Sequence, residues 1–287
     1  MPFKRKLYTD HQEKNILITG CSSGIGECVA LGLHARGYRV IASARQQRDV
    51  DRLNKAGVTA IALDLSQSSS IDEAVSQVRA LTQDRLYALF NNGAYGQPGA
   101  LEDLPTEALR DQFETNVFGW HHLTRAFIPI FRNQGHGRII QNSSLLGYVA
   151  LKNRGAYNAS KYAIEGLSDT LRLELAHSGI HVCLIEPGPI STRFRYNSRP
   201  YFFRHIDVEH SVHRDRYQRL KRRQNHIGSV QPFTLPAEAV LKRVIHILES
   251  PRPKPRYPIT LPAHFCWYLK RFLPTRLLDS VLQSFPD

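Results

Sequence analysis

Short apolar runs and longer amphipathic stretches alternate through the first two hundred residues of this chain. Six runs have strand character, at 16–19, 39–43, 59–63, 88–91, 137–142 and 181–186. Between them apolar residues recur at helical spacing, as in Glu27-Cys28-Val29-Ala30-Leu31-Gly32-Leu33, and longer helices are predicted over 106–132 and 155–176. Regular alternation of strand and helix is what βαβ units require. The predicted fold class is therefore α/β: a doubly wound parallel sheet of Rossmann type, helices on both faces, with ligands across the carboxyl ends of the strands.

The first strand runs into Gly20-Cys21-Ser22-Ser23-Gly24-Ile25-Gly26 and then directly into a helix. Glycines at such a turn let backbone N–H groups approach a pyrophosphate, and the positive end of the helix dipole favours the anion. A glycine-rich turn alone is weak evidence. In the order strand, turn, helix it points to a dinucleotide rather than a plain turn.

Tyr157 and Lys161 lie four residues apart on a predicted helix, and Ser144 ends the fifth strand. On one helix face an ammonium sits beside a phenol, which favours the phenolate and draws its pKa down from about 10. Such a group can donate or accept a proton in carbonyl chemistry, with the serine hydroxyl holding the substrate oxygen. Tyr and Lys at this spacing also occur as ordinary solvated pairs, so the assignment depends on the cofactor site.

These segments together resemble the short-chain dehydrogenases/reductases. Thr19-Gly20-x-x-x-Gly24-x-Gly26, Asn116, Ser144, Tyr157 and Lys161 match that family's cofactor turn and active-site tetrad in order and spacing. Asp64, Asn91 and Pro187-Gly188-Pro189-Ile190-Ser191-Thr192 match further positions, and the resemblance is strong over 14–195. Within the family the chain is similar to 17β-hydroxysteroid and retinol dehydrogenases and to bacterial NADPH-dependent aldehyde reductases, sharing with the latter Ile185-Glu186-Pro187-Gly188-Pro189-Ile190 and Arg256-Tyr257-Pro258-Ile259-Thr260.

The resemblance implies a cofactor site of Gly20, Ser22, Ser23, Gly24, Ile25, Gly26, Asp64, Leu65, Asn91, Gly93, Tyr157, Lys161, Pro187, Gly188, Ile190 and Thr192. It implies that Tyr157 transfers the proton, that Lys161 binds the nicotinamide ribose, and that Asn116 holds a water passing protons to Lys161. For Asn116 the alternative is a polar helix residue bonded locally to backbone. For Asp64 it is a helix N-cap, compatible with an adenine contact. Asn91-Asn92-Gly93-Ala94 departs from the family's usual Asn-Asn-Ala-Gly, moving the residue tolerant of positive φ by one place.

Charge bears on the cofactor. An acid after the second strand accepts the ribose hydroxyls of NAD, whereas an Arg accommodates the 2′-phosphate of NADP. Here Ala44 takes the acidic position and Arg45 follows, which predicts NADP(H). Arg45 as a solvated surface residue is the alternative.

The stretch 192–235 is the expected substrate lid, with Phe194, Tyr196, Tyr201, Phe202, Phe203 and Tyr217; Leu146, Tyr148 and Tyr95 are expected on the opposing wall. Aromatics there predict a hydrophobic aldehyde, ketone or secondary alcohol. The chain of 287 residues, 42% apolar, is read as one domain, with a C-terminal extension over 252–287. It has no apolar run long enough to span a membrane and begins without a signal-peptide core, so a cytoplasmic location is expected. The four scattered cysteines form no metal-ligand pair, and no metal is expected. A homodimer or homotetramer built on the helices from Thr106 and Gly155 is implied by the resemblance.

Net charge is 38 − 25 = +13, gathered in Lys4-Arg5-Lys6, Arg214 to Arg223 and the tail after Arg252. This keeps open a non-catalytic nucleotide-sensing or nucleic-acid-binding protein on a dinucleotide-binding scaffold, although no nucleic-acid motif accompanies the charge and the catalytic set is complete. Residues 265–278 mix apolar and basic side chains, as an interfacial membrane segment does. The same stretch equally suits packing on the pocket or on a partner, and Pro274 interrupts any single helix there.

Overall fold

The computed structural model describes residues 14–224 and 232–285. The Lys4-Arg5-Lys6 cluster, the side chains of Lys221, Arg222 and Arg223, and lid residues 225–231 lie outside the described residues. Seven parallel strands form one sheet: β1 (Asn15–Ile18), β2 (Arg39–Ala44), β3 (Thr59–Ala62), β4 (Ala88–Asn91), β5 (Gly137–Asn142), β6 (Ile180–Pro187) and β7 (Arg256–Ile259). Their spatial order is β3-β2-β1-β4-β5-β6-β7. The order reverses between β1 and β4, which opens the crevice where such sheets bind ligands. The seventh strand is absent from the six predicted. Its four residues, Arg256-Tyr257-Pro258-Ile259, carry a proline, which removes one ladder donor and is tolerated here at the sheet edge.

Residues of period two within each strand divide between two cores. Ile16, Ile18, Val40, Ala42 and Phe90 pack with Val29, Ala30 and Leu33 of α1 (Gly24–His34) and with Val240, Val244 and Ile247 of α9 (Glu238–Glu249). Leu17, Ile41, Leu89 and Ile139 face the other way, against Ile71 and Val78 of α3 (Ser68–Thr82), Trp120 and Phe127 of α5 (Gly119–Gln134), and Ile164 of α6 (Gly155–Glu174). Each fully buried large side chain contributes about 1.5–3 kcal/mol. Both faces of the sheet are covered, so the strands read as continuous apolar runs.

The helix expected over 106–132 is present and unbroken, but it is not α-helical throughout. It comprises α4 (Thr106–Phe113), a π-turn at Glu114–Phe118, and α5. The wider turn inserts one residue into the hydrogen-bond ladder, and Asn116 lies within it. The remaining elements are α2 (Gln47–Lys55), α7 (Phe194–His205), α8 (Arg214–Gln224), α10 (Leu261–Phe272) and α11 (Thr275–Gln283). The lid thus holds two helices, and the C-terminal extension breaks at Pro274 as its sequence requires.

Candidate active site

One cavity of about 1090 Å³ opens at the carboxyl edge of the sheet. Of the residues expected there, it is lined by Gly20, Ser22, Ser23, Gly24, Ile25, Gly93, Ser144, Leu146, Tyr157, Lys161, Pro187, Gly188, Ile190, Thr192 and Phe194. Gly26, Arg45, Asp64, Leu65, Asn91, Tyr95, Asn116 and Tyr148 are not in its lining. Most of the second group support residues that are.

The glycine turn fits a pyrophosphate. Gly20 (φ +70°) and Gly24 (φ +63°) adopt backbone that a side chain resists, and a Cβ on Gly20 would lie 2.4 Å from the Gly93 Cα. Gly26 has no such φ; its Cβ would meet the Gly20 carbonyl at 2.2 Å, so close packing of turn on helix excludes a side chain. Ser23 stands at the N-cap of α1 with extended backbone and no side-chain cap, which leaves the first-turn N–H groups for an anion. Glu27, the acid nearest this site on α1, is paired with Arg52, whose guanidinium also donates to the Ser22 carbonyl at 2.8 Å.

Gly93 departs from expectation, since it does not take positive φ. Glycine here gives close packing instead: a Cβ would fall 2.9 Å from Leu65 Cδ1 and 3.2 Å from the Gly20 nitrogen, so a side chain would have to displace the Leu65 methyl. Asn91 turns its side chain into the protein, donating to Thr124 Oγ1 at 2.9 Å and Gln141 Oε1 at 3.0 Å. Its neighbour Asn92, which the motif reading passed over, fastens the end of β4 to the glycine turn through the Thr19 and Gly20 carbonyls, at 2.9 and 3.2 Å. Asp64 is not a helix cap, since Gln67 occupies that position without a side-chain bond. The Asp64 carboxylate accepts from the Ser66 N–H and hydroxyl, at 3.0 and 2.7 Å.

Helix α6 carries Tyr157 and Lys161 one turn apart, and Lys161 is fully buried. Its ammonium donates to the Asn142 carbonyl at 2.7 Å and lies 4.4 Å from the Trp120 ring centroid and 5.5 Å from that of Tyr157. The anticipated lowering of the phenol does not occur in the protein alone. Burial pushes Tyr157 above the ordinary phenol range, opposed by hydrogen bonding from Ser144 and by the charge of Arg154. Burial likewise pushes Lys161 down to about 7, with Glu165 opposing. Desolvation penalises both charged forms and exceeds what the pair gains from proximity.

Asn116 is buried, donating to the Tyr95 carbonyl at 2.9 Å and Ser160 Oγ at 3.2 Å and accepting from the Tyr95 N–H at 3.2 Å. It fixes the loop after β4 against α6. Ser144 accepts from the Leu146 N–H at 3.1 Å and donates to the Pro187 carbonyl at 3.4 Å. Tyr148 donates its hydroxyl to the Ala263 carbonyl at 2.7 Å, anchoring α10 rather than facing the cavity, and Tyr95 stacks on Tyr201 at 4.0 Å. Arg45 reaches Tyr201 of the lid at 3.4 Å.

The apolar side of the cavity combines Leu145, Leu146 and Leu151 with Phe194 and Tyr196 of α7 and with Leu261, Phe265 and Cys266 of α10. Phe194 packs on Tyr157 at 5.4 Å between centroids. The contribution of α10 settles the open reading of the C-terminal extension in part, since its inner face completes this wall. Among the described residues no cluster suited to a metal ion occurs, and no helix is long and apolar enough to cross a membrane.

Known proteins are similar to this chain in sequence and in fold. A family model described as short chain dehydrogenase matches residues 14–201. An uncharacterized oxidoreductase of Escherichia coli strain K12, YbbO, is 44% identical over 272 residues, covering 95% of each chain. The 17-beta-hydroxysteroid dehydrogenase type 6 of Bos taurus is 31% identical over 294 residues, covering 99% of this chain and 92% of its own. The crystal structure of a short-chain dehydrogenase from Streptomyces avermitilis is 31% identical, with a TM-score of 0.75 and 93% of each chain covered. From the glycine turn to the Tyr157–Lys161 helix, sequence and fold agree that this chain belongs to the short-chain dehydrogenase/reductase family of oxidoreductases.

Proposed function

We propose that the protein is an NADP(H)-dependent reductase of hydrophobic aldehydes or ketones, with Tyr157 as proton donor and the reverse alcohol oxidation open to the same site. The carrying observation is that the glycine turn, Ser144, Tyr157 and Lys161 line one cavity whose remaining wall is apolar. Bound NADPH supplies hydride to the carbonyl carbon. The chain's own residues do the rest. Ser144 and Tyr157 hydrogen-bond the carbonyl oxygen, and the phenol, kept neutral by burial, gives up its proton as charge develops there. A proton donor must be protonated at rest, as a phenol is at neutral pH. Lys161 holds the ribose and the phenol in register, and Asn116 braces the loop and helix that carry the site.

The preference for NADP(H) rests on Arg45 after a buried Ala44, with no acid in that position. We take 1–287 as one domain, because lid and C-terminal helices line the cavity built by the sheet. A homodimer or homotetramer is supported by Phe118, Tyr162, Leu167 and Leu173, which leave apolar outer surface at the π-turn and on α6. Four unpaired thiols suit a reducing, cytoplasmic compartment.

The test is an NADPH oxidation screen over medium-chain aldehydes, retinal, steroid ketones and quinones, run beside Tyr157→Phe. Turnover that the variant abolishes while still binding NADPH is expected. Inactivity on every carbonyl would return the protein to a nucleotide-sensing role, and an active Tyr157→Phe would remove the assigned proton donor.

A further inference from the structure

Helices α7 and α10 both line the cavity, and both are aromatic and basic without a single acid. On α10, Leu261, Phe265, Tyr268 and Phe272 follow one another at intervals of four, three and four residues, which places them in one narrow stripe. Each is at least half exposed, and Phe272 is 75% exposed. A soluble surface rarely leaves four large apolar side chains of one helix in water. Leu261 and Phe265 also line the cavity, so the stripe runs without interruption from the catalytic pocket to the outside.

Cations border this path. Lys270, Arg271 and Arg276 are exposed around the far end of the stripe, and Asp and Glu are absent from 261–278. Arg271 stacks on Trp267 at 5.0 Å. Helix α7, which also lines the cavity, repeats the arrangement with exposed Phe194, Tyr196 and Phe203, where Arg199 stands 5.8 Å from the Tyr196 ring centroid. Aromatic side chains interleaved with arginine and lysine match the headgroup boundary of an anionic bilayer, where rings enter the interface and cations meet phosphate. A second copy is the poorer occupant, because a two-fold contact through this face would set its cations against themselves.

We propose that the α7–α10 face docks on anionic lipid bilayers and that the substrate is a carbonyl compound dissolved in the bilayer, entering along the Leu261–Phe272 stripe. The substrate part rests on the proposed reductase activity; the docking part does not. Docking needs no penetration beyond the headgroup region, since the stripe is one helix long and lies beside the fold rather than across it.

The experiment sediments the full chain with phosphatidylcholine vesicles with and without phosphatidylglycerol, at low and high salt, for the parent, Tyr268→Ser/Phe272→Ser and Lys270→Gln/Arg271→Gln. None of the four substituted residues lines the cavity. Expected is binding that requires phosphatidylglycerol, weakens with salt, and falls roughly fivefold for each removed charge. Reduction of a short water-soluble aldehyde should be the same in all three proteins. Reduction of a long-chain ketone embedded in the vesicles should fall with binding. Equal sedimentation of parent and variants, or none by the parent, overturns the proposal. A concentration-dependent dimer that either variant disperses overturns it too, assigning the face to self-association. Inactivity on the soluble aldehyde with vesicle binding intact would instead refute the reductase reading alone.

Discussion

The Lys161 ammonium lies 4.4 Å from the Trp120 ring centroid, so the cation central to the site rests against a fully buried indole. The ring and the Asn142 carbonyl offset part of the desolvation cost, but not all of it, since Lys161 is still pushed down to about 7 from 10.5. The unfolded chain therefore binds more protons than the folded one between these values, and Lys161 adds stability as pH rises through that window. Urea unfolding of the parent and Lys161→Met across the window should show the parent gaining on the variant with pH. Parallel curves would mean that Lys161 titrates normally.

Arg45→Asp should reverse the cofactor preference. A guanidinium–phosphate pair contributes about 1.5–3 kcal/mol, or roughly 10–100-fold in kcat/KM. The new carboxylate would repel the 2′-phosphate and accept from the ribose hydroxyls of NADH. Steady-state rates with NADPH and NADH decide the matter; a parent that uses both equally would remove Arg45 from the site.

Asn116→Ala should damage stability and catalysis together. The side chain bonds both backbone groups of Tyr95; without it the carbonyl keeps its bond from Gln112 Nε2 at 2.8 Å, but the N–H is left bare at a cost of about 1–3 kcal/mol. A drop of about 1–3 kcal/mol in chemical denaturation is expected, with kcat reduced more than KM. Loss of kcat at unchanged stability would point instead to a direct part in proton transfer.

What the sequence disclosed follows from how local each constraint is. The glycine turn was legible because positive φ at Gly20 and Gly24 and the following helix are neighbours in the chain. Tyr157 and Lys161 were legible because four residues make one helical turn. The π-turn at Asn116 was not, since apolar periodicity is nearly the same on either side of one inserted residue. Nor was Trp120, which reads as one more core position of α5; it lies four residues after Asn116, a spacing that gains meaning only once Lys161 is known to sit over it. The raised Tyr157 pKa depends on desolvation by elements remote in sequence, α7 among them, which no local pattern encodes. The role of α10 as a cavity wall depends in the same way on β7, whose proline disguised it.

A final consequence concerns β7. Arg256, its first residue, donates to Glu186 of β6 at 2.6 Å, to Asp169 of α6 at 2.6 Å, and to Glu165, one helical turn beyond Lys161. Arg172 joins through Asp169, and the Tyr148 hydroxyl and Ser143 face the same group from the turn after β5. Three carboxylates share two guanidinium groups. Glu186 is fully buried, and one of its oxygens has no partner, so burial and the charge of Glu165 push it up to about 7 from 4.5. Because the folded value is raised, its contribution to stability is complete below 4.5 and is lost as pH rises through about 7. Glu186→Gln resembles the protonated form, keeping the acceptor for Arg256 and giving the bare oxygen's place to an amide. Urea unfolding from pH 4.5 to 7 should therefore show a parent that weakens with rising pH and a variant with a flatter profile. The Lys161 effect begins where this one ends, so the two slopes have opposite signs in adjoining windows. Parallel curves for parent and Glu186→Gln would place the shared proton on Glu165, and Glu165→Gln would then carry the flattening.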